Sequence, residues 1–272
     1  FHIDGETAAA IHAARTRLRA VAPERLHKEL SGILCGRQAA ALLEEFSDVL
    51  FELIPELAPC QGFRQYNPHH TRDVWTHTLA VVDGVPPEEP LRLAALLHDA
   101  GKPATFFFDK NLVGHFYGHP AAGAAVTEEV LRRLRYDRAT TEFVTQLVAV
   151  HGRPIPDDLR GMRRMLARLG APVCLALIQL RCADAIGTGT ADAAEQTARC
   201  EAALSLLAQA EKGCSSVSTL AVSGRDLLAL GMTQGPAVGA VLKRLLDAVL
   251  DGSAPNDRAS LLKLASEIGN NA

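Results

Sequence analysis

The segment Leu96-Leu97-His98-Asp99-Ala100-Gly101-Lys102-Pro103 sets an imidazole beside a carboxylate where an apolar run meets a glycine and a proline. Both groups ligate divalent metals. Neighbours inside a helix point about 100° apart and cannot share an ion, but at a helix end the geometry relaxes. A buried His–Asp hydrogen bond is the plainer use of the same pair. His77 follows Asp73-Val74-Trp75-Thr76, and Asp184 lies in the apolar stretch Arg181-Cys182-Ala183-Asp184-Ala185. A buried carboxylate requires a partner or an ion, and Arg181 is the nearest partner in sequence. His119 precedes Pro120 at a helix start, and His151 precedes Gly152 at a helix end. Four imidazoles and two carboxylates on separate helices can surround one or two divalent ions, with Mn, Fe, Ni, Zn and Mg all compatible with these donors. His115, in Gly114-His115-Phe116-Tyr117-Gly118-His119, is the alternative to His119. Seven of the ten histidines fall between positions 69 and 151.

The elements that must position these groups read as helices almost throughout. One helix is expected over 4–20, a second over 24–34 opened by Pro23, and a third over 38–53 with Leu42, Phe46, Val49, Leu50 and Leu53 at helical spacing. Pro55, Pro59 and Gly62 mark a boundary near residue 60. Thr71 is the expected cap of a helix reaching Val82, and 90–98 is a strongly apolar helix. Thr105-Phe106-Phe107-Phe108, Asp109-Lys110-Asn111 and Leu112-Val113 read as a small β-hairpin. Helices follow over 120–134, 138–150, 172–185 and 191–209, the third apolar on all sides and therefore expected to be buried. The tail reads as two helices, 224–230 and 236–250.

The 272 residues, 48% hydrophobic and 22% charged, suffice for one large domain or two small ones and exclude intrinsic disorder. A membrane span is excluded by the longest apolar candidate, 171–180, which is short and contains Gln179. The formal charge of −3 excludes a globally basic nucleic-acid coat. Nine arginines (132, 133, 135, 138, 153, 160, 163, 164, 168) against four acids nevertheless give the stretch 132–168 a local excess of five positive charges. Arginine suits phosphate recognition, and solvated helix faces are the alternative reading. Six cysteines without a C-x-x-C pair predict buried free thiols in a reducing cytoplasm.

The ordered set His77, His98-Asp99, Asp184 resembles the HD superfamily of metal-dependent phosphohydrolases. With His119 and His151 between, it resembles the members whose site holds two metals. That resemblance implies one ion on His77, His98, Asp99 and Asp184, and a second on Asp99, His119 and His151. It favours His119 over His115, because the Gly-His-Pro step matches the family's helix start. It further implies attack of an activated water on phosphorus, with Asp99 at the catalytic centre. Lys102 is then a candidate catalytic and substrate contact, a point charge for a phosphoryl oxygen, unless it is an ordinary solvated lysine. His70, His115 and Arg153 are the remaining candidate substrate contacts.

A wider similarity covers nearly the whole chain. Pro23-Glu24-Arg25-Leu26-His27-Lys28-Glu29-Leu30 resembles the neck of bacterial tRNA nucleotidyltransferases, the family of CCA-adding enzymes and related poly(A) polymerases. Asn67-Pro68-His69-His70, Asp73 to Leu79 and Gly114 to His119 resemble the HD domain of members that carry one. Ser223-Gly224-Arg225-Asp226-Leu227, Leu230-Gly231-Met232 and Gly235-Pro236 resemble the family's C-terminal region. The family's polymerising head, with its Gly-Ser turn and D-x-D aspartates, has no counterpart here, so the chain is expected to lack nucleotide addition as it stands. Gly152 after His151, where many members carry Asp, is a second departure.

The resemblance implies an all-α fold: an HD-type bundle with a small β-hairpin over 61–190, neck helices over 1–60 and a helical tail over 191–272. It implies a cytoplasmic protein with tRNA or other RNA as partner and nucleotide phosphate esters as substrates, the RNA contacts falling on Arg132, Arg133, Arg135, Arg163 and Arg164. A free-standing phosphohydrolase of small nucleotides and a non-catalytic tRNA-binding arm are the competing readings.

Overall fold

The computed structural model describes residues 3–67, 71–190, 192–214 and 216–270. The chain is helical apart from one small hairpin, as the sequence predicts. It divides into two compact units, 1–153 with 176–200, and 154–175 with 201–272.

In the first unit, helices α1 (Gly5–Ala14), α2 (Pro23–Leu34), α3 (Ala39–Glu45) and α4 (Ser47–Leu53) come first. The expected helix over 4–20 is α1 followed by a 3-10 segment, Arg15–Ala20. The expected helix over 38–53 is broken at Phe46, whose ψ of 34° ends α3. Phe46 N–H still donates to Leu42 and Leu50 N–H to Phe46, so the apolar spacing runs through the break and conceals it. A 3-10 turn, Pro55–Cys60, closes this region.

Helix α5 (Val74–Gly84) is capped by Asp73, which accepts from Thr76 N–H at 2.7 Å. The expected cap, Thr71, instead bonds the Thr188 carbonyl. Asp is the stronger cap here because it accepts from both the Thr76 backbone and its hydroxyl. Helix α6 (Glu89–Leu97) is apolar on nearly all sides, and Leu91 to Leu97 are buried. The one-turn helix α7 (Lys102–Thr105) leads to β1 (Phe107–Phe108), which pairs antiparallel with β2 (Gly114–His115). Asp109 holds the hairpin turn by accepting from Asn111 and Val113 N–H. Helices α8 (His119–Arg133) and α9 (Arg138–Val150) pack antiparallel to one another across the tight turn at Arg135.

Helix α2 docks on the turn between α8 and α9. Ser31 and Tyr136 share a hydroxyl hydrogen bond of 3.0 Å, and His27 stacks on Tyr136 and donates to the Leu134 carbonyl.

Helices α10 (Leu159–Leu169), α11 (Ala171–Gly187) and α12 (Ala193–Glu211) follow. The expectation of all-round burial for α11 holds only in part, since Leu175 and Ile186 are exposed. Cys182 and Cys200 form a disulfide, which corrects the expectation of free thiols for these two; Cys35, Cys60, Cys174 and Cys214 are free. A bond between two helices at a sequence separation of 18 has no spacing signature of its own.

In the second unit, α13 (Gly224–Ala229), α14 (Pro236–Leu250) and α15 (Arg258–Asn270) close on a core of Val222, Leu227, Leu245, Leu261 and Ala265. The third tail helix, α15, corrects the expectation of two. Its signals are the Asp257 cap, accepting from Ser260 N–H, and Leu261, Ala265 and Ile268 at helical spacing. Among the described residues no single helix is long and apolar enough to cross a membrane.

Candidate metal centre

Three histidines stand at helix ends, and the local geometry is the same each time. His98 follows α6, His151 follows α9, and His119 opens α8. Each places its Nδ1 against the carbonyl three residues earlier: Ala95 at 2.8 Å, Val148 at 2.6 Å and Phe116 at 2.8 Å. A carbonyl only accepts, so each Nδ1 carries the proton. At His119 and His151 the same carbonyl also accepts the histidine's own backbone N–H, so ring and backbone are held on one acceptor. The Nδ1 bond also fixes the tautomer, so that each Nε2 presents a lone pair inward, as a metal ligand must.

These nitrogens converge on Asp99, whose two oxygens face different ways. Oδ2 lies 3.1 Å from His98 Nε2 and 3.6 Å from His77 Nε2. Oδ1 lies 3.6 Å from His119 Nε2 and 3.9 Å from His151 Nε2. His77 Nε2 is also 3.1 Å from Asp184 Oδ1, while Asp184 Oδ2 accepts from Arg181 at 2.6 Å. The two readings of Asp184 thus both hold, one on each oxygen. Two sets of donor atoms result, His77 with His98 and Asp184, and Asp99 with His119 and His151, each within 4.8 Å of one another. All six expected ligands are therefore brought together.

Nearly all of this is out of water. His77, His98, Asp99 and His151 are buried, and only His119 and Asp184 keep side-chain exposure, 20% and 15%. Burial would raise the Asp99 pKa, but His98 and Lys102 beside it outweigh burial and hold it well below the carboxylate range. Asp184 is likewise held low, its burial outweighed by His77 and His98. Burial pushes His119 down, and burial with the nearby His98 brings His151 down to about 4. Burial also pushes His98 down, but Asp99 more than reverses this and leaves it raised. Two ionised carboxylates and inward imidazole lone pairs form a set of hard and borderline donors that suits a divalent cation. The fit rests further on the His119 and His151 Nε2 atoms, which face each other at 3.1 Å.

Lys102 is buried, its ammonium 2.8 Å from Asp99 Oδ2 and donating to Gln65 Oε1 at 2.8 Å over the Phe116 ring. It compensates the Asp99 charge. Gln65 is a site residue that the sequence reading missed; its Nε2 donates to the Arg72 carbonyl and it is almost fully buried. Gly101 is where α8 comes closest, since a Cβ there would lie 2.4 Å from the His119 carbonyl oxygen and 2.6 Å from Gly123 N.

The other expected contacts lie elsewhere. His115 is outside the ligand sets, its Nε2 at 3.2 Å from Asp109. Arg153 is exposed just after His151. His70 lies outside the described residues. Of the candidate RNA contacts, Arg132 pairs with Glu128, Arg133 makes a two-pronged bond to Glu56 at 2.6 and 2.8 Å, and Arg164 pairs with Asp251. Arg135 is exposed and forms no ion pair among the described residues, whereas Arg163 packs against Gly213. Much of the positive excess over 132–168 is thus neutralised by acids from outside that stretch.

Comparison with known proteins agrees with this architecture. Residues 121–265 match the family model described as "tRNA nucleotidyltransferase domain 2 putative". The chain belongs to the tRNA nucleotidyltransferase family. Residues 1–60 match a second model, described as "Probable RNA and SrmB- binding site of polymerase A". The chain is 36% identical over 244 residues to the CC-adding tRNA nucleotidyltransferase of Thermus thermophilus, covering 85% of this chain and 54% of the relative. It is 33% identical over 243 residues to the A-adding tRNA nucleotidyltransferase of Deinococcus radiodurans, covering 85% and 55%. It therefore spans about half the length of these curated relatives. The fold is similar to that of the Bacillus stearothermophilus CCA-adding enzyme crystallised with CTP, with a TM-score of 0.60 at 18% identity, over 100% of this chain and 58% of that one.

Proposed function

We propose that this chain is the neck, body and tail of a tRNA nucleotidyltransferase-type protein whose body is an HD-type, metal-dependent phosphohydrolase. Its substrates are nucleotide or RNA phosphate esters, and it acts on or beside tRNA in the cytoplasm. The observation that carries the reading is the placement of Asp99, with one carboxylate oxygen toward each set of histidines. A carboxylate shared in this way is what a two-ion centre for in-line displacement at phosphorus requires.

His77, His98, Asp99 and Asp184 would hold one ion, and Asp99, His119 and His151 a second. A divalent ion bound there supplies Lewis-acid activation of a water and neutralises phosphoryl charge. The protein does the rest. The Nδ1 bonds to Ala95, Phe116 and Val148 keep three imidazoles in the ligating tautomer and orientation. Lys102 and Gln65 hold Asp99 Oδ2 in place and lend a positive charge. His119 is the most exposed of the histidines in the two sets and so the most accessible to a phosphate ester.

Three parts by role follow: 1–60 for RNA, supported by the family description of that segment, 61–190 for the metal centre, and 191–272 as tail. Of the arginines over 132–153, Arg135 and Arg153 are exposed and without acidic partners among the described residues, and so are the best placed of that stretch to meet a phosphate backbone.

The test is turnover of a generic phosphodiester by the chain loaded with Mn or Ni. The reading expects turnover that a chelator abolishes and that Asp99→Ala lowers by at least about a hundredfold. Turnover that survives Asp99→Ala would remove the mechanism.

A further inference from the structure

The hairpin exposes more aromatic surface than a solvated turn requires. Phe107 and Phe108 in β1 are 42% and 46% exposed, and Tyr117, just after β2, is 74% exposed. Three of the rings form a compact cluster. Phe107 stacks on His115 with centroids 5.5 Å apart and planes at 29°, His115 stacks on Tyr117 at 5.3 Å and 23°, and Phe107 meets Tyr117 tilted at 5.5 Å and 50°. The cluster is held in advance. Asp109 Oδ1 fixes the turn through Asn111 and Val113 N–H, and Asp109 Oδ2 accepts from His115 Nε2. Below it, Phe106 packs edge-on against Phe63 and tilted against Phe116. The close packing of Gly114 on Gln65, where a Cβ would meet the Gln65 carbonyl at 2.2 Å, seats the hairpin on the floor of the metal centre.

The cluster is continuous in the chain with that centre. Tyr117 and His119 flank Gly118, whose φ of 83° turns the chain from strand into α8. Phe116 carries the His119 Nδ1 bond on its carbonyl and the Lys102 ammonium over its ring. Lys110 is exposed at the tip of the same hairpin and supplies a positive charge.

A cluster of rings, Phe107 and Tyr117 exposed and His115 half-buried, with a cation at the hairpin tip and the Asp99 centre at the other end, suits an unpaired nucleotide. Every base has a face that stacks on an aromatic ring, and the charge suits its phosphate. We propose that Phe107, His115 and Tyr117 form a base-stacking platform that presents an unpaired RNA end to the Asp99 centre. The ligand class is single-stranded, base-bearing RNA, in preference to duplex RNA or to sugar phosphates without a base. The inference rests on the reading of Asp99 as a phosphoester centre for its purpose, but its binding test does not depend on catalysis.

The test compares a short fluorescein-labelled single-stranded RNA with the same backbone lacking its bases, by anisotropy in chelator, so that binding is read without hydrolysis. The expected result is about tenfold tighter binding of the base-bearing strand. Phe107→Ala and Tyr117→Ala should each remove most of that margin without lowering Tm, and Tyr117→Trp should restore it. Equal affinity for the two strands, or a margin untouched by both alanine variants, would overturn the proposal. So would sedimentation showing that the wild-type chain pairs with itself and that both alanine variants do not, because the rings would then be a contact between copies. Turnover is scored separately on the metal-loaded chain. A margin that behaves as expected without any turnover supports the platform and removes the Asp99 reading. Turnover without a margin removes the platform alone.

Discussion

His119 Nε2 and His151 Nε2 face each other across 3.1 Å, while both Nδ1 atoms are committed to backbone carbonyls. Two imidazole lone pairs do not approach so closely unless a cation or a proton lies between them. Burial lowers the pKa of both rings, which favours the metal over the proton. His151→Ala should therefore cut bound metal from two equivalents to one and shrink the metal-induced rise in Tm. Metal analysis after dialysis, with thermal scans, checks both; unchanged stoichiometry would place the second ion elsewhere.

Among the described residues, Lys102 is the one lysine or arginine that forms a salt bridge with Asp99, at 2.8 Å. Removing one partner of a buried pair costs about 3–5 kcal/mol. Lys102→Met should show a loss of that order in urea unfolding of the metal-free protein, and a clearly smaller loss when metal neutralises Asp99. An equal loss in both forms would mean that Lys102 contributes packing and not charge.

Arg133 ties α8 to the turn at Glu56. Burial would raise the Glu56 pKa, but the Arg133 hydrogen bonds outweigh it and leave it lowered. A lowered folded-state value adds stability above the ordinary Glu range, about pH 4.3, and that stability is lost as pH falls through the folded value. Because the pair is partly exposed, the contribution is about 1 kcal/mol. Glu56→Gln should destabilise by that amount at neutral pH and match the wild type once the pH falls below the lowered Glu56 value. A difference independent of pH would contradict the assignment.

The Cys182–Cys200 disulfide makes a countable prediction. Denatured, unreduced protein should titrate four thiols and reduced protein six. Cys200→Ser should lower stability by about 3 kcal/mol. Six reactive thiols before reduction would show the bond to be absent.

That His98, Asp99, His119 and His151 would be brought together was legible because histidine and aspartate at helix ends are distinctive, and the Gly, Pro and apolar runs that place those ends are local signals; His77 and Asp184, inside α5 and α11, joined them through their order in the family resemblance. The hairpin was legible from its aromatic run and polar turn, but its second strand is Gly114–His115 and not the expected Leu112-Val113, because Asp109 draws the Val113 N–H into the turn. What escaped depended on distant packing. Gln65 becomes a site residue only because the hairpin folds over it and Lys102 reaches it. The Phe46 break leaves the helical spacing intact. The arginines read as free charges find acids such as Glu56 and Asp251, which lie 77 and 87 residues away in the chain. Asp73 displaced Thr71 as a cap because both residues are good caps and only the Thr188 contact separates them.

The central claim is that Asp99 bridges two ions. Calorimetric titration of the chelator-stripped chain with Mn or Ni tests it most directly. The account predicts two equivalents bound by the wild type and failure of both sites in Asp99→Ala, since each set loses a shared oxygen. Two equivalents bound with unchanged affinity by Asp99→Ala would contradict it.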